Sequence, residues 1–351
     1  MRLRTALSVP LVALAVATSA LTAPGTAQAA IAQTAVPLPI TFADDVVSSG
    51  DRVFVSSGAT GTDVVVTDRA GVVTGTLGNL PGPADLQLSN DRSTLYVALT
   101  AGNAIAAFNT GTLTEFARYD TAAVGAGCPQ TLALTGNNLW FGYGCGGWQG
   151  GIGRVNLGRQ PAVVSTTSVS GQFYGQPLLT SALRNNTVLV AGTPGQSPAE
   201  AFVYTIGSGG TLTPRNEAEW NSIGSNMRDL ALDPTGTTLF FACGYPYAVN
   251  GYPAGDIREE PVSAVLQTGA YPNAVEVSRD GTLIAAGIDG NYEPDVYVFT
   301  ATGTQVGSFE LGARLSDAAI AWQPNGAHVY AVTSEYWPGG TTPAVLHVLT
   351  V

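Results

Sequence analysis

The sequence predicts an all-β chain, a seven-bladed β-propeller closed by an N-terminal strand that completes the last blade. A turn signal returns about every 45 residues, Gly, Pro and β-branched residues dominate, and no sustained helical period exists.

The recurring signal is a tight turn between two β-rich runs. It stands at Ser49-Gly50-Asp51, Asn90-Asp91, Asn137-Asn138, Asn185-Asn186, Thr235-Gly236, Asp280-Gly281 and Asn325-Gly326. With Gly50, Asn90, Asn137, Asn185, Gly236, Gly281 and Gly326 as markers, the steps are 40, 47, 48, 51, 45 and 45 residues. A propeller blade of four short strands takes about 40 to 50 residues.

Each turn follows a short run of small apolar residues and precedes a β-branched or aromatic one. Examples are Ala84-Asp85-Leu86-Gln87-Leu88 before Thr94-Leu95-Tyr96-Val97-Ala98, and Ala274-Val275-Glu276-Val277 before Leu283-Ile284-Ala285-Ala286. We read these as the inner strands a and b. A third run, such as Asp63-Val64-Val65-Val66, Ala104-Ile105-Ala106-Ala107-Phe108 or Asp295-Val296-Tyr297-Val298-Phe299, is strand c. A more polar fourth, such as Thr304 to Phe309, is strand d, so apolarity falls from hub to rim. No segment repeats apolar residues at i, i+3, i+4 and i+7 between caps, which excludes doubly wound and barrel α/β folds.

Residues 30–351 are expected to form one domain, with blades at roughly 43–80, 81–124, 125–170, 171–220, 221–268, 269–312 and 313–351. The last repeat offers only Asp317 to Trp322, His328 to Thr333 and Ala344 to Val351. The extended run Ala35 to Ile40, within 34–40, can supply the missing strand and leave no open sheet edge.

Ahead of the repeats, Arg2 and Arg4 precede an apolar run from Ala6 to Val16, then small residues ending in Ala27-Gln28-Ala29. These are the three parts of a secretory signal, so residues 1–29 are expected to be removed and the rest secreted to the extracellular space. The run is shorter than the roughly 20 residues of a spanning helix, and no other long apolar stretch exists, so no membrane insertion is expected. No Cys stands near the cleavage site to take a lipid, and the chain reaches Val351 without an apolar tail or sorting motif, so free export is expected. All 14 basic residues are Arg. Two of them lie in the signal, which leaves 12 against 25 acids and a net charge of about −13. Such a surface repels phosphate backbones, so nucleic acid is excluded as a partner.

The run Leu95-Tyr96-Val97-Ala98, followed by Ala104 to Phe108 and Asn109-Thr110-Gly111-Thr112, resembles the YVTN-type propeller repeat, as do inner turns such as Asp280-Gly281. With its signal the chain is similar to exported YncE-like propellers of actinobacteria, which often precede Ig-like domains; no Ig-like domain is expected here. The resemblance covers about the whole chain beyond the signal and implies blades rather than one activity. That family holds lactonase-like enzymes, quinoprotein-like subunits and plain binding modules.

Aligning the blades puts a polar residue at the start of each inner strand: Asp44, Asp85, Gln130, Gln176, Asp229, Asn273 and Asp317. These would ring one mouth of the central channel. The four carboxylates Asp44, Asp85, Asp229 and Asp317 suit Ca²⁺, which takes about 6 to 8 oxygens. The competing reading is that such residues cap strand ends and tie neighbouring blades through backbone amides.

Loops between strands b and c carry Tyr143, Trp148, Tyr245, Tyr247, Tyr252, Tyr292, Tyr336 and Trp337. Antiparallel order places them on the face where strand a starts, a setting for stacking on sugar rings or gripping a peptide. The alternative is that they fill the gaps between blades.

Cys128 precedes strand a and Cys145 ends strand b of the third repeat, ends that lie together in an antiparallel pair, so a disulfide is expected. Cys243 should be a buried small hydrophobe. No Cys/His spacing suits zinc. Gly142-Tyr143-Gly144-Cys145-Gly146-Gly147 matches GxGxxG, but lacks the helix that a dinucleotide site needs. His328 and His347 fall inside strands, and no GxSxG elbow exists, which argues against acyl transfer. Asn185-Asn186-Thr187 is a glycosylation sequon by pattern and is explained by its repeat turn.

The leading expectation is therefore a monomeric, secreted binding module for an extracellular carbohydrate or peptide, with no catalytic residue and no cofactor. The alternatives are a Ca²⁺-dependent, lactonase-like hydrolase with the metal in the channel, and a structural scaffold.

Overall fold

The structure, a computed structural model, describes residues 32–169, 172–218, 222–258 and 263–351. The expected signal at 1–29 lies outside them. Among the described residues the chain forms seven four-stranded antiparallel sheets, and the helical content is one 3-10 turn, Ala122–Val124. Blade 1 consists of Val46–Ser48, Arg52–Ser56, Val64–Asp68 and Val73–Leu77, its strands a to d. Blades 2 to 6 repeat this order from inner strands Pro83–Leu88, Pro129–Thr135, Leu178–Ala182, Ser225–Leu232 and Pro272–Val277. Every strand a packs beside the strand a of the next blade, and that of blade 7 beside that of blade 1. The sheets thus close into a seven-bladed β-propeller.

Blade 7 takes Leu315–Trp322, His328–Thr333 and Val345–Thr350 as strands a to c, and Gln33–Pro37 as strand d. Gln33 pairs with Leu349 and Pro37 with Val345, antiparallel. The pairing extends past the strand, since Leu38 N donates to Ala344 O and Ala344 N to Ile40 O, both at 2.8 Å. The expected closing segment is therefore the observed one, begun a residue or two earlier.

The strands form where they do because each sheet must be apolar on both sides. Val53, Phe54 and Val55 of blade 1 show the result, all fully buried, with one side against blade 7 and the other against blade 2. Seven clusters of buried residues lie among the described residues, one in every gap between blades. Burying one such Val or Leu contributes about 1.5–3 kcal/mol, so the gaps hold the ring together. The inner turns close through left-handed residues, such as Gly281 at φ 82° and Gly326 at φ 75°.

In blade 3 Cys128 and Cys145 form the expected disulfide, with Cα atoms 5.2 Å apart. It ties the start of strand a to the end of strand b across 17 residues. Replacing both by Ser should lower the unfolding free energy by about 3 kcal/mol in urea titrations under oxidising conditions. An unchanged midpoint would remove the bridge from the list of stabilising elements. Cys243 is free and buried beside Met227, and burial pushes its thiol up to about 12. At neutral pH it stays a thiol inside a core.

Candidate functional site

Strands a run from one face of the ring to the other, so the b–c loops and d–a connections share the face where strands a start. Exposed aromatic side chains gather on this face. Trp148 stands edge-on to Tyr174 with ring centroids 5.6 Å apart. Backbone pairing sets the two: Gly150 N donates to Phe173 O at 3.0 Å and Gly175 N to Gly147 O at 2.8 Å. A Cβ on Gly150 would overlap the Gly175 carbonyl, so only glycine allows the b–c loop to lie this close.

A second cluster spans blades 5 and 6, where Tyr247 meets Tyr245 at 6.1 Å and Tyr271 at 5.3 Å, both edge-on. The third is Tyr336 against Trp337 at 4.6 Å, with the Arg314 guanidinium 4.5 Å above the Tyr336 ring. Tyr292 stands apart, 96% exposed, while Trp148 and Trp337 are 71% and 73% exposed.

Two of the named aromatics do not belong to that surface. Tyr143 is 3% exposed at the end of strand b, packed on Phe141. Tyr252 is 2% exposed because blade 5 has almost no b–c loop: strand b ends at Tyr245 and strand c is Ala248–Pro253. Alternation then turns Tyr252 inward, and its hydroxyl donates to Ser222 O at 3.0 Å. Tyr174 and Tyr271, missed in the sequence, replace them from d–a connections.

Inside the aromatic rim lies the mouth of an axial cavity of about 520 Å³, lined by Asp44, Asp45, Asp85, Gln130, Arg228, Asp229, Glu276 and Asp317 among others. Several of these polar groups tie blades together. Asp45 accepts Val46 N at 2.7 Å within its blade and Leu86 N of the next at 2.8 Å. Asp85 accepts Leu132 N at 2.5 Å, and Asp229 accepts Leu230 N at 2.7 Å and Val275 N at 2.8 Å. Asn273 is buried and donates to Leu315 O and Asp317 Oδ1. The blade-tying role weighed for this ring is thus what these contacts perform. In blade 1 Asp45 performs it, one residue beyond Asp44. Gln176 stands outside the cavity lining, and Gln130 within it.

The carboxylates are crowded. Enclosure, then the charges of Asp85 and Asp317, pushes Asp44 up to about 6. Enclosure also raises Asp85 to about 6 and Asp229 to about 7. Asp45, hydrogen-bonded to Asp85, is pushed well above the usual carboxylate range, mainly by enclosure. Glu276 opens onto the wetted lumen yet is surrounded by blades, which with Asp229 lifts it to about 8. Asp317 is ion-paired with Arg314 Nη2 at 2.7 Å and with Arg228 Nη1 at 3.3 Å. Arg314 also reaches Asp289 at 3.2 Å, so one guanidinium joins the channel mouth to the Tyr336 ring.

The Ca²⁺ cage fits these residues poorly. Asp85 and Asp229 spend oxygens on strand amides, Asp317 is held by two arginines, and among the described residues no three metal-ligating side chains converge. A cage of about 6 to 8 free oxygens would have to dismantle those ties.

What the fold and face define is a seven-bladed β-propeller with an aromatic-rimmed polar channel. No family model matches the chain, and no curated protein matches its sequence. Among solved structures it is similar to a chain of the "Crystal Structure of Mitotic Checkpoint Complex", with a TM-score of 0.68 and 15% identity over 98% of this chain and 99% of that one. At that identity the likeness carries the fold alone. No helix among the described residues is long and apolar enough to cross a membrane.

Proposed function

We propose that this chain is a secreted, non-enzymatic binding module, akin to the YVTN-type propellers, whose aromatic face engages an extracellular carbohydrate. The observation that carries the reading is the set of solvent-exposed Trp and Tyr rings gathered on one face and held edge to face in pairs. Sugar rings present C–H groups that pack on such faces, while the acids and Arg314 nearby can take hydroxyls. The Arg- and Ala-bearing N-terminal sequence and the disulfide support export.

A glycan array probed with the mature protein should give saturable hits. The triple variant Trp148→Ala, Tyr247→Ala, Trp337→Ala should weaken them about tenfold or more, since aromatic contacts of this kind carry about 0.5–1.5 kcal/mol each. All three side chains are exposed, so the fold should be intact by circular dichroism. Unchanged affinity in the triple variant would remove this face from the reading, and hits confined to peptide arrays would assign the face to a protein partner instead.

A further inference from the structure

The opposite face, where the a–b turns lie, holds a different chemistry. Arg92, Arg184 and Arg279 come from the inner turns of blades 2, 4 and 6 and converge there. Arg279 Nη2 donates to Asn90 O of blade 2 at 2.8 Å, reaching across the axis. Arg184 Nη2 donates to Arg279 O at 3.2 Å. Arg92 extends toward Gly50 of blade 1, and its guanidinium has no hydrogen-bond partner among the described residues. Arg92 and Arg279 both border the axial cavity.

No carboxylate neutralises this group. None of the three forms an ion pair among the described residues, where the paired arginines are Arg118, Arg228, Arg258 and Arg314. The acids of these turns are hydrogen-bonded within them, Asp91 with Ser89 and Ser93 and Asp280 with Ser278 and Thr282, as is Asp233 of the blade 5 turn with Thr235, Thr237 and Thr238. Mutual repulsion is felt, since enclosure and then Arg92 and Arg184 push Arg279 below its ordinary range. A chain with about −13 net charge and few cations has placed three of them together at one end of its channel.

We propose that this mouth is a binding site for a doubly charged oxyanion, a phosphate or sulfate group, held by the guanidiniums of Arg92, Arg184 and Arg279. Guanidinium forks match tetrahedral oxyanions in shape and charge, and three of them meet a dianion from different sides. The site is independent of the aromatic face, which lies on the other side of the ring.

Isothermal titration calorimetry of the mature protein with sodium phosphate and with sodium sulfate, at constant ionic strength in chloride, tests it. Saturable binding with a submillimolar Kd is expected. Arg92→Gln and Arg184→Gln should each weaken it about tenfold or more, while Arg118→Gln on the rim leaves it unchanged. Unfolding midpoints in chloride should be unchanged or raised in Arg92→Gln, because a repulsive partner is gone, which separates lost binding from lost folding. Glucose 6-phosphate and glucose 6-sulfate form a second arm: tighter binding than the inorganic ions assigns the group to a larger ligand, and equal binding to the free anion. No saturable heat up to about 10 mM of either ion, or wild-type affinity in Arg92→Gln, overturns the proposal.

Discussion

Deleting residues 32–40 is expected to lower the unfolding free energy by about 5 kcal/mol and to make the protein associate. The segment supplies strand d of blade 7, with its five residues Gln33–Pro37 in register against Val345–Thr350. Further backbone bonds flank the strand, from Thr350 N to Ala32 O at 2.9 Å and between Leu38, Ala344 and Ile40. Most of the strand's side chains are exposed, so its contribution comes chiefly from these bonds at about 1 kcal/mol each, while buried Leu38 adds about 2 kcal/mol. The deletion also strips Val345–Thr350 of its partner, leaving an edge that can pair with another chain. Urea unfolding and size-exclusion chromatography read both effects, and a peptide spanning 31–41 added in trans should reverse them. A monomeric deletion variant with the parental midpoint would mean that the ring is closed by something else.

The second large effect concerns pH. Asp44, Asp85, Asp229 and Glu276 titrate at about 6, 6, 7 and 8 in the folded protein, against ordinary values of 3.8 for Asp and 4.5 for Glu. Between these limits the folded state holds protons that the unfolded chain has released. The stability they contribute is thus present in full below about pH 4 and is lost as pH rises through 6 to 8. Buried His347 acts oppositely: pushed down to about 4, it costs stability as pH falls below 6.5. One histidine is outweighed by several carboxylates, and Asp91 and Asp256, held near 2, lose their contribution only in stronger acid. Stability should therefore peak in mild acid, near about pH 5, and fall toward pH 8.

Asp229→Asn isolates one member of that set. Its single amide oxygen can still accept from Val275 N, the bond from Leu230 N to the other oxygen is lost, and the buried charge is gone. We expect about 1 kcal/mol of added stability at pH 8 and about 1 kcal/mol of loss at pH 5, because the lost Leu230 bond acts at both and the relieved charge, discounted for the partly wetted side chain, only at pH 8. Equal destabilisation at both pH values would show that the charge is not the cost.

The blades were legible because a repeat is a one-dimensional signal: the spacing from Gly236 to Gly281 to Gly326 needs no knowledge of the third dimension. The closing strand was legible from a deficit, since the last repeat had three runs where four were needed. Register was harder. Bulges at the starts of strands a, as between Met227 and Asp229 or Pro272 and Ala274, shift which residue faces the next blade. Alternation cannot reveal them. In blade 1, where strand a pairs with strand b without a bulge, the offset is one residue at the strand entry, and Asp45 rather than Asp44 accepts Leu86 N. Tyr252 was misplaced for a related reason, because Pro246-Tyr247 suffices as a turn and the strand resumes at Ala248. Arg228, Glu276 and the arginines of the inner turns were invisible as a group, since only ring closure brings such distant positions together.

Having Gln33–Pro37 complete a sheet otherwise built from residues 315–350 imposes a timetable on folding. Six blades can assemble as the polypeptide becomes available, each from neighbours in sequence, but residue 33 must wait for residue 349. Until then the early segment has no mate, and its exposed Gln and Thr with nearby Pro37 and Pro39 make it a poor template for self-association. The last step is a long-range search whose entropy grows only slowly with the length spanned, so the ring latches late.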